Sequence, residues 1–82
     1  MEQRNSFKIQ NDFGGDLLIV VEPNGATETL PKGSAFDVFE VFEREPMTIV
    51  LAQSIFGMPE IAFWCGDGSL RIEMDGKVLI KA

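Results

Sequence analysis

Glycine-bearing turn signals cut this chain into short apolar runs from one end to the other. Asn24-Gly25, Asp67-Gly68 and Asp75-Gly76 are dipeptides that readily take the positive φ angles of tight hairpins. Phe13-Gly14-Gly15-Asp16, Pro31-Lys32-Gly33 and Phe56-Gly57-Met58-Pro59 add three further breaks. The intervening segments are rich in Val, Ile, Phe and Thr, the length and composition of strands, and none carries helical periodicity. The expected fold is therefore all-β: a small antiparallel β-sandwich or barrel of seven or eight short strands, formed by residues 1–82 as a single domain.

The strands can be placed from their alternation. Residues 6–12 set Phe7 and Ile9 against Lys8 and Gln10, and residues 17–21 are continuously apolar, as in a central strand covered on both sides. Residues 26–30 carry Thr27 and Thr29 and suit a more exposed strand. In residues 34–43, Phe36, Val38, Glu40 and Phe42 share one face, and Asp37, Phe39, Val41 and Glu43 share the other. Residues 47–54 predict Met47, Ile49 and Leu51 inward, and residues 60–65 place Ile61, Phe63 and Cys65 opposite Ala62 and Trp64. Residues 55–59 read as an apolar loop, and residues 69–80 as a hairpin with Leu70, Ile72, Met74, Val78 and Ile80 on one side.

Composition removes several functional classes. The chain has no histidine, so it lacks the usual general base near neutral pH and the commonest transition-metal ligand. The single cysteine, Cys65, forbids an internal disulfide; without a nearby cation it reads as a small buried hydrophobe. Asp37 and Glu43 share a strand face, but six residues of strand span roughly 20 Å, too far for a glycosidase-like carboxylate pair. Gly66-Asp67-Gly68-Ser69 lies between two strands and reads as a hairpin turn, and Asp12 and Asp16 flank an ordinary turn, not a calcium loop. The expectation is a protein that is not an enzyme, with no cofactor, no catalytic residue and no metal site.

A net charge of −6 disfavours nucleic acid and anionic membrane surfaces. The polar first residues lack a signal-peptide pattern, and the apolar runs are too short to span a bilayer, so a cytoplasmic location is expected.

The remaining signal is an apolar surplus. Phe39, Val41, Val50, Ala62 and Trp64 lie opposite the better core positions. Two accounts are open: part of the set is internalised, by a β-bulge near Phe39-Glu40 or by simple two-sided burial, or the set is a contact surface. On the second account the protein is a non-enzymatic interaction domain that self-associates as a homodimer. Phe39, Val41 and Trp64 form the centre of the contact, Asp37 and Glu43 its rim, and Phe39→Glu separates the copies. The alternative is a small-ligand domain, for a carbohydrate or other polar molecule stacked on Trp64. A weaker alternative is an acidic inhibitor or immunity-type protein that binds a basic partner.

Residues 17–38 also carry an apolar strand ending in Glu22-Pro23, a turn at Gly25, and a Leu30-Pro31-x-Gly33 turn. This pattern resembles a family of short, uncharacterised bacterial all-β proteins. The resemblance implies a small bacterial all-β domain and transfers no site residue.

Overall fold

In a computed structural model, residues 1–53 and 57–82 are described; residues 55 and 56 of the expected apolar loop lie outside them. Eight strands form: β1 (Gln3–Gln10), β2 (Leu17–Glu22), β3 (Ala26–Leu30), β4 (Ala35–Phe42), β5 (Thr48–Gln53), β6 (Pro59–Trp64), β7 (Ser69–Met74) and β8 (Lys77–Lys81). They make two separate four-stranded sheets, β1-β4-β7-β8 and β3-β2-β6-β5. The fold is thus a sandwich, not a closed barrel. Pairing is antiparallel throughout except between β2 and β6, which run parallel in the middle of the second sheet.

The core lies between the sheets and follows the alternation of each strand. Phe36, Val38, Leu70, Ile72 and Ile80 face Leu17, Ile19, Val21, Leu30, Ile61 and Phe63 across it. Phe36 and Phe63 meet edge to face, with centroids 6.2 Å apart, a favoured arrangement for aromatic quadrupoles.

The bulge left open at Phe39-Glu40 does not form. β4 keeps an unbroken register with both β1 and β7, because its Phe36/Val38/Glu40 face already supplies what the core needs. A bulge occurs instead between Ile72 and Glu73, where β8 fits Val78 and Leu79 into the space of one residue. That extra residue breaks the simple alternation, so Val78 is exposed while Leu79 packs against the core.

The chain crosses between sheets four times, and the crossovers are latched in pairs at opposite ends of β4. At one end Asn11, just after β1, is buried and uses every polar atom. Its Nδ2 donates to the carbonyls of Gly15, Leu30 and Pro31 at 2.9, 3.0 and 3.2 Å. Its Oδ1 accepts from Phe13 N at 3.0 Å, its N–H donates to Ser34 O, and its carbonyl accepts from Gly33 N. One side chain therefore ties the β1–β2 and β3–β4 connections together.

At the other end Asp67 holds the β4–β5 connection. Its carboxylate accepts from the backbone N–H groups of Glu43, Arg44 and Glu45 at 3.0, 2.8 and 3.1 Å. This corrects the hairpin reading of residues 66–69: β6 and β7 belong to different sheets, and the segment is a crossover. Neither Gly66 nor Gly68 has a positive φ; both are glycine because the 41–46 backbone presses against them. Asp75-Gly76, by contrast, is the expected tight turn, with φ of 52° and 79°.

Bonds from Glu43 and Arg44 hold the Asp67 carboxyl below the usual range. A group depressed in the folded state stabilises it above the ordinary carboxylate value, and that stability is lost as pH falls through the folded value. Stability contributed here should accordingly hold at neutral pH and fall only below about pH 4. The check is an NMR titration in which the Asp67 carboxyl shift moves at a lower pH than in an unfolded peptide. Asp67→Asn should flatten that acid limb.

Candidate functional site

The residues expected to form one contact are divided by the fold. Asp37, Phe39 and Val41 lie on the outer face of the first sheet, since they alternate with the buried Phe36, Val38 and Glu40. Trp64 alternates with the buried Phe63 and lies on the outer face of the second. The two outer faces point in opposite directions, so Phe39 and Trp64 do not share one surface patch. Glu43 lies beyond the end of β4, where its N–H is held by Asp67.

Phe39 is also not bare. It is half-buried, and the Arg71 guanidinium sits over its ring, 4.6 Å from the centroid, in a cation–π arrangement. Arg71 is further paired with Glu73, and Lys8 with Asp37 at 3.5 Å. Phe39, Val41, Leu70, Arg71 and Lys81 line a depression of about 90 Å³. Five of the chain's seven cations lie on strands of this sheet, and none on strands of the other. The apolar residues of this face are therefore screened by long charged side chains.

Interior chemistry is quiet. Glu40 is buried, but Oε1 accepts from Asn5 Nδ2 at 2.9 Å and Oε2 from Met47 N at 2.5 Å. Burial pushes the Cys65 thiol up, and the nearby Glu40 carboxylate pushes it further. Both effects disfavour the thiolate, the nucleophilic form. Among the described residues no cluster of His, Cys, Asp or Glu could hold a metal ion, and no buried side-chain polar atom lacks a partner. No described helix is long and apolar enough to cross a membrane.

The second sheet carries the unexplained surface, at β5. Its register with β6 puts Ile49 and Leu51 in the core-facing row beside Phe63 and Ile61, as alternation predicts. Yet Leu51 is 77% exposed and Ile49 43%. The expectation that they fill the core is corrected here: β5 is the outermost strand of its sheet, and its core-facing row is left exposed among the described residues. On the other face Val50, 40% exposed, lies opposite Ala62, and Thr48 lies opposite Trp64, which is 46% exposed. Ala62, part of the expected surplus, is buried between Val20 and Val50.

The other three edges are guarded in recognisable ways. A sheet edge offers unpaired N–H and C=O groups to any passing strand, and proteins deter this with charges, bulges or short edges. β1 carries Arg4 and Lys8. β8 carries Lys77 and Lys81 and the bulge. β3 is five residues long and places Glu28 in its core-facing row, opposite Ile19. β5, Thr-Ile-Val-Leu-Ala-Gln, has no charge, no proline and no break in register. Sequence reading missed this edge because strand order, which decides whether Ile49 and Leu51 are covered, is not written in alternation.

Among the described residues the architecture is that of an eight-stranded β-sandwich with one edge that carries no charge, proline or bulge. No family model, curated protein or solved structure matches the chain.

Proposed function

We propose that this protein is a non-enzymatic interaction domain that self-associates, and that its contact is the β5 edge rather than the Phe39 face. The observation that carries this reading is a six-residue strand, uncharged and exposed on both faces, in a sandwich whose other edges are all protected. A domain of this size gains little by leaving Ile49, Val50 and Leu51 in water, since apolar burial contributes about 25 cal/mol per Å². The contact also offers a neutral meeting point to chains that each carry a charge of −6.

A polar small molecule stacked on Trp64 is less well supported. Glu22 and Thr48 flank Trp64 in the register, but the ring lies on an open sheet face. Trp64 lines neither the Phe39 depression nor the one formed by Asn11, Asp12, Gly14, Lys32 and Gly33. Small-molecule sites are characteristically concave.

Light scattering after size exclusion, over a concentration series, tests the proposal. The unmodified chain should rise to twice the chain mass, and Leu51→Lys should remain at the chain mass with an unchanged circular dichroism spectrum. Phe39→Glu should still reach twice the chain mass. Loss of association in Phe39→Glu, with Leu51→Lys unaffected, would move the contact to the first sheet.

A further inference from the structure

Resting on the self-association reading, we infer that two copies join β5 to β5 in antiparallel register centred on Val50, so that two four-stranded sheets become one continuous sheet of eight. The β5 edge is self-complementary about this centre. A two-fold axis normal to the sheet keeps both outer faces on the same side and must pass between two copies of one residue. Residues opposed across the seam then belong to the same row, as the pleat requires.

Three centres lie at the large exposed apolar residues of β5, Ile49, Val50 and Leu51, and the chain discriminates among them. A Leu51 centre sets Ile49 against Gln53 of the second copy, polar against apolar in the core-facing row. An Ile49 centre draws residues 46 and 47 into the ladder. Pro46 has no N–H to give, and the N–H of Met47 is already held by Glu40. A Val50 centre uses only residues 48–52. It opposes Thr48 to Ala52, Ile49 to Leu51 and Val50 to itself, with no charged side chain on the seam.

This centre also accounts for both exposed faces at once. The Ile49–Leu51 pairs from the two copies form a four-residue apolar cluster on the core-facing side, where the overhang is uncovered. The Val50 pair closes the outer side, between the Ala62 residues of the two copies. The five paired residues supply roughly 17 Å of seam. The contact is on the order of 1,000 Å² in all, at the small end of specific interfaces, which suits a weak and concentration-dependent dimer.

Disulfide trapping tests the register. In a Cys65→Ser background, the variants Val50→Cys, Leu51→Cys and Ile49→Cys are oxidised with diamide and resolved on non-reducing gels. Light scattering of the unmodified chain is run in parallel under reducing conditions. Directly opposed residues lie within disulfide reach, whereas residues displaced by two along the partner are about 7–8 Å apart. Val50→Cys should therefore form covalent dimer at least about tenfold faster than the other two. An equal mixture of Thr48→Cys and Ala52→Cys should crosslink while neither does so alone, a check that does not depend on position 50. Preferential crosslinking of Leu51→Cys or Ile49→Cys would overturn the Val50 centre. A dimer by light scattering in which no β5 variant crosslinks would overturn edge pairing but leave self-association standing. A chain that stays monomeric at every concentration would remove both.

Discussion

Gly68→Ala should be strongly destabilising, although it adds a single methyl group to an exposed loop position. A Cβ at Gly68 would overlap the Val41 carbonyl oxygen and lie 2.7 Å from the Cα of Phe42. Both are backbone atoms of β4, the strand that pairs with β1 on one side and β7 on the other. No rotamer change relieves such a clash; either the crossover or a central strand must move. Overpacking that side chains can absorb costs about 1–3 kcal/mol, and displaced backbone costs more, so a loss of about 4 kcal/mol or above is expected. A domain of this size has a total stability of only about 4–12 kcal/mol. The midpoint of thermal unfolding, followed by circular dichroism, should fall by roughly 15 °C or more. Gly14→Ala is the informative control. Its φ is 97°, but a Cβ there meets nothing within 4 Å, so only backbone strain is added. That cost should be about 1 kcal/mol. Equal effects of the two substitutions would show that the Gly68 contact is not tight.

Asn11→Asp should be the second most damaging change, because it is nearly isosteric and reverses the hydrogen-bond polarity. The Asn11 amide nitrogen faces three carbonyl oxygens. A carboxylate oxygen in its place would confront three acceptors in a buried site, with no donor to satisfy any of them. Leaving buried polar groups unpaired costs about 1–3 kcal/mol apiece and more when a charge is involved, so a loss of about 3 kcal/mol or above follows. The site would favour a protonated aspartic acid, raising that carboxyl in the folded state. With the folded value above the unfolded one, the penalty is smallest at low pH and grows as pH rises through the ordinary range near about 4. Urea unfolding of the variant at pH 3.5 and pH 7 should show this inverted dependence. An unchanged midpoint at pH 7 would mean that the latch can be dispensed with.

These two positions illustrate where reading the residues succeeded and failed. Asn11 lies within the segment 6–12 read as an alternating strand; nothing in its neighbours announces that it will meet Gly15, Leu30 and Pro31. Asp67 and Gly68 look like the central pair of a hairpin turn, and the same dipeptide type at Asp75-Gly76 is one. The difference is that residues 75–76 join strands paired in one sheet, while residues 66–68 pass from one sheet to the other. Turn chemistry describes local φ preferences and does not say whether the strands on either side pair with each other.

The candidate contact divides in the same way. The faces of β4 were legible residue by residue, because a pleated strand alternates whatever its surroundings. The grouping of Phe39, Val41 and Trp64 into one patch was not, because which outer face a strand contributes to depends on which sheet it joins. Ile49 and Leu51 were placed on the correct side of β5 and yet not in the core. Alternation by itself determined the all-β class, the strands and the side each residue takes, since period-two geometry and glycine turns are local properties of the chain. Tertiary structure alone decided the sheet order, the two polar latches and the open β5 edge, since burial depends on what another segment, distant in sequence, lays over each face.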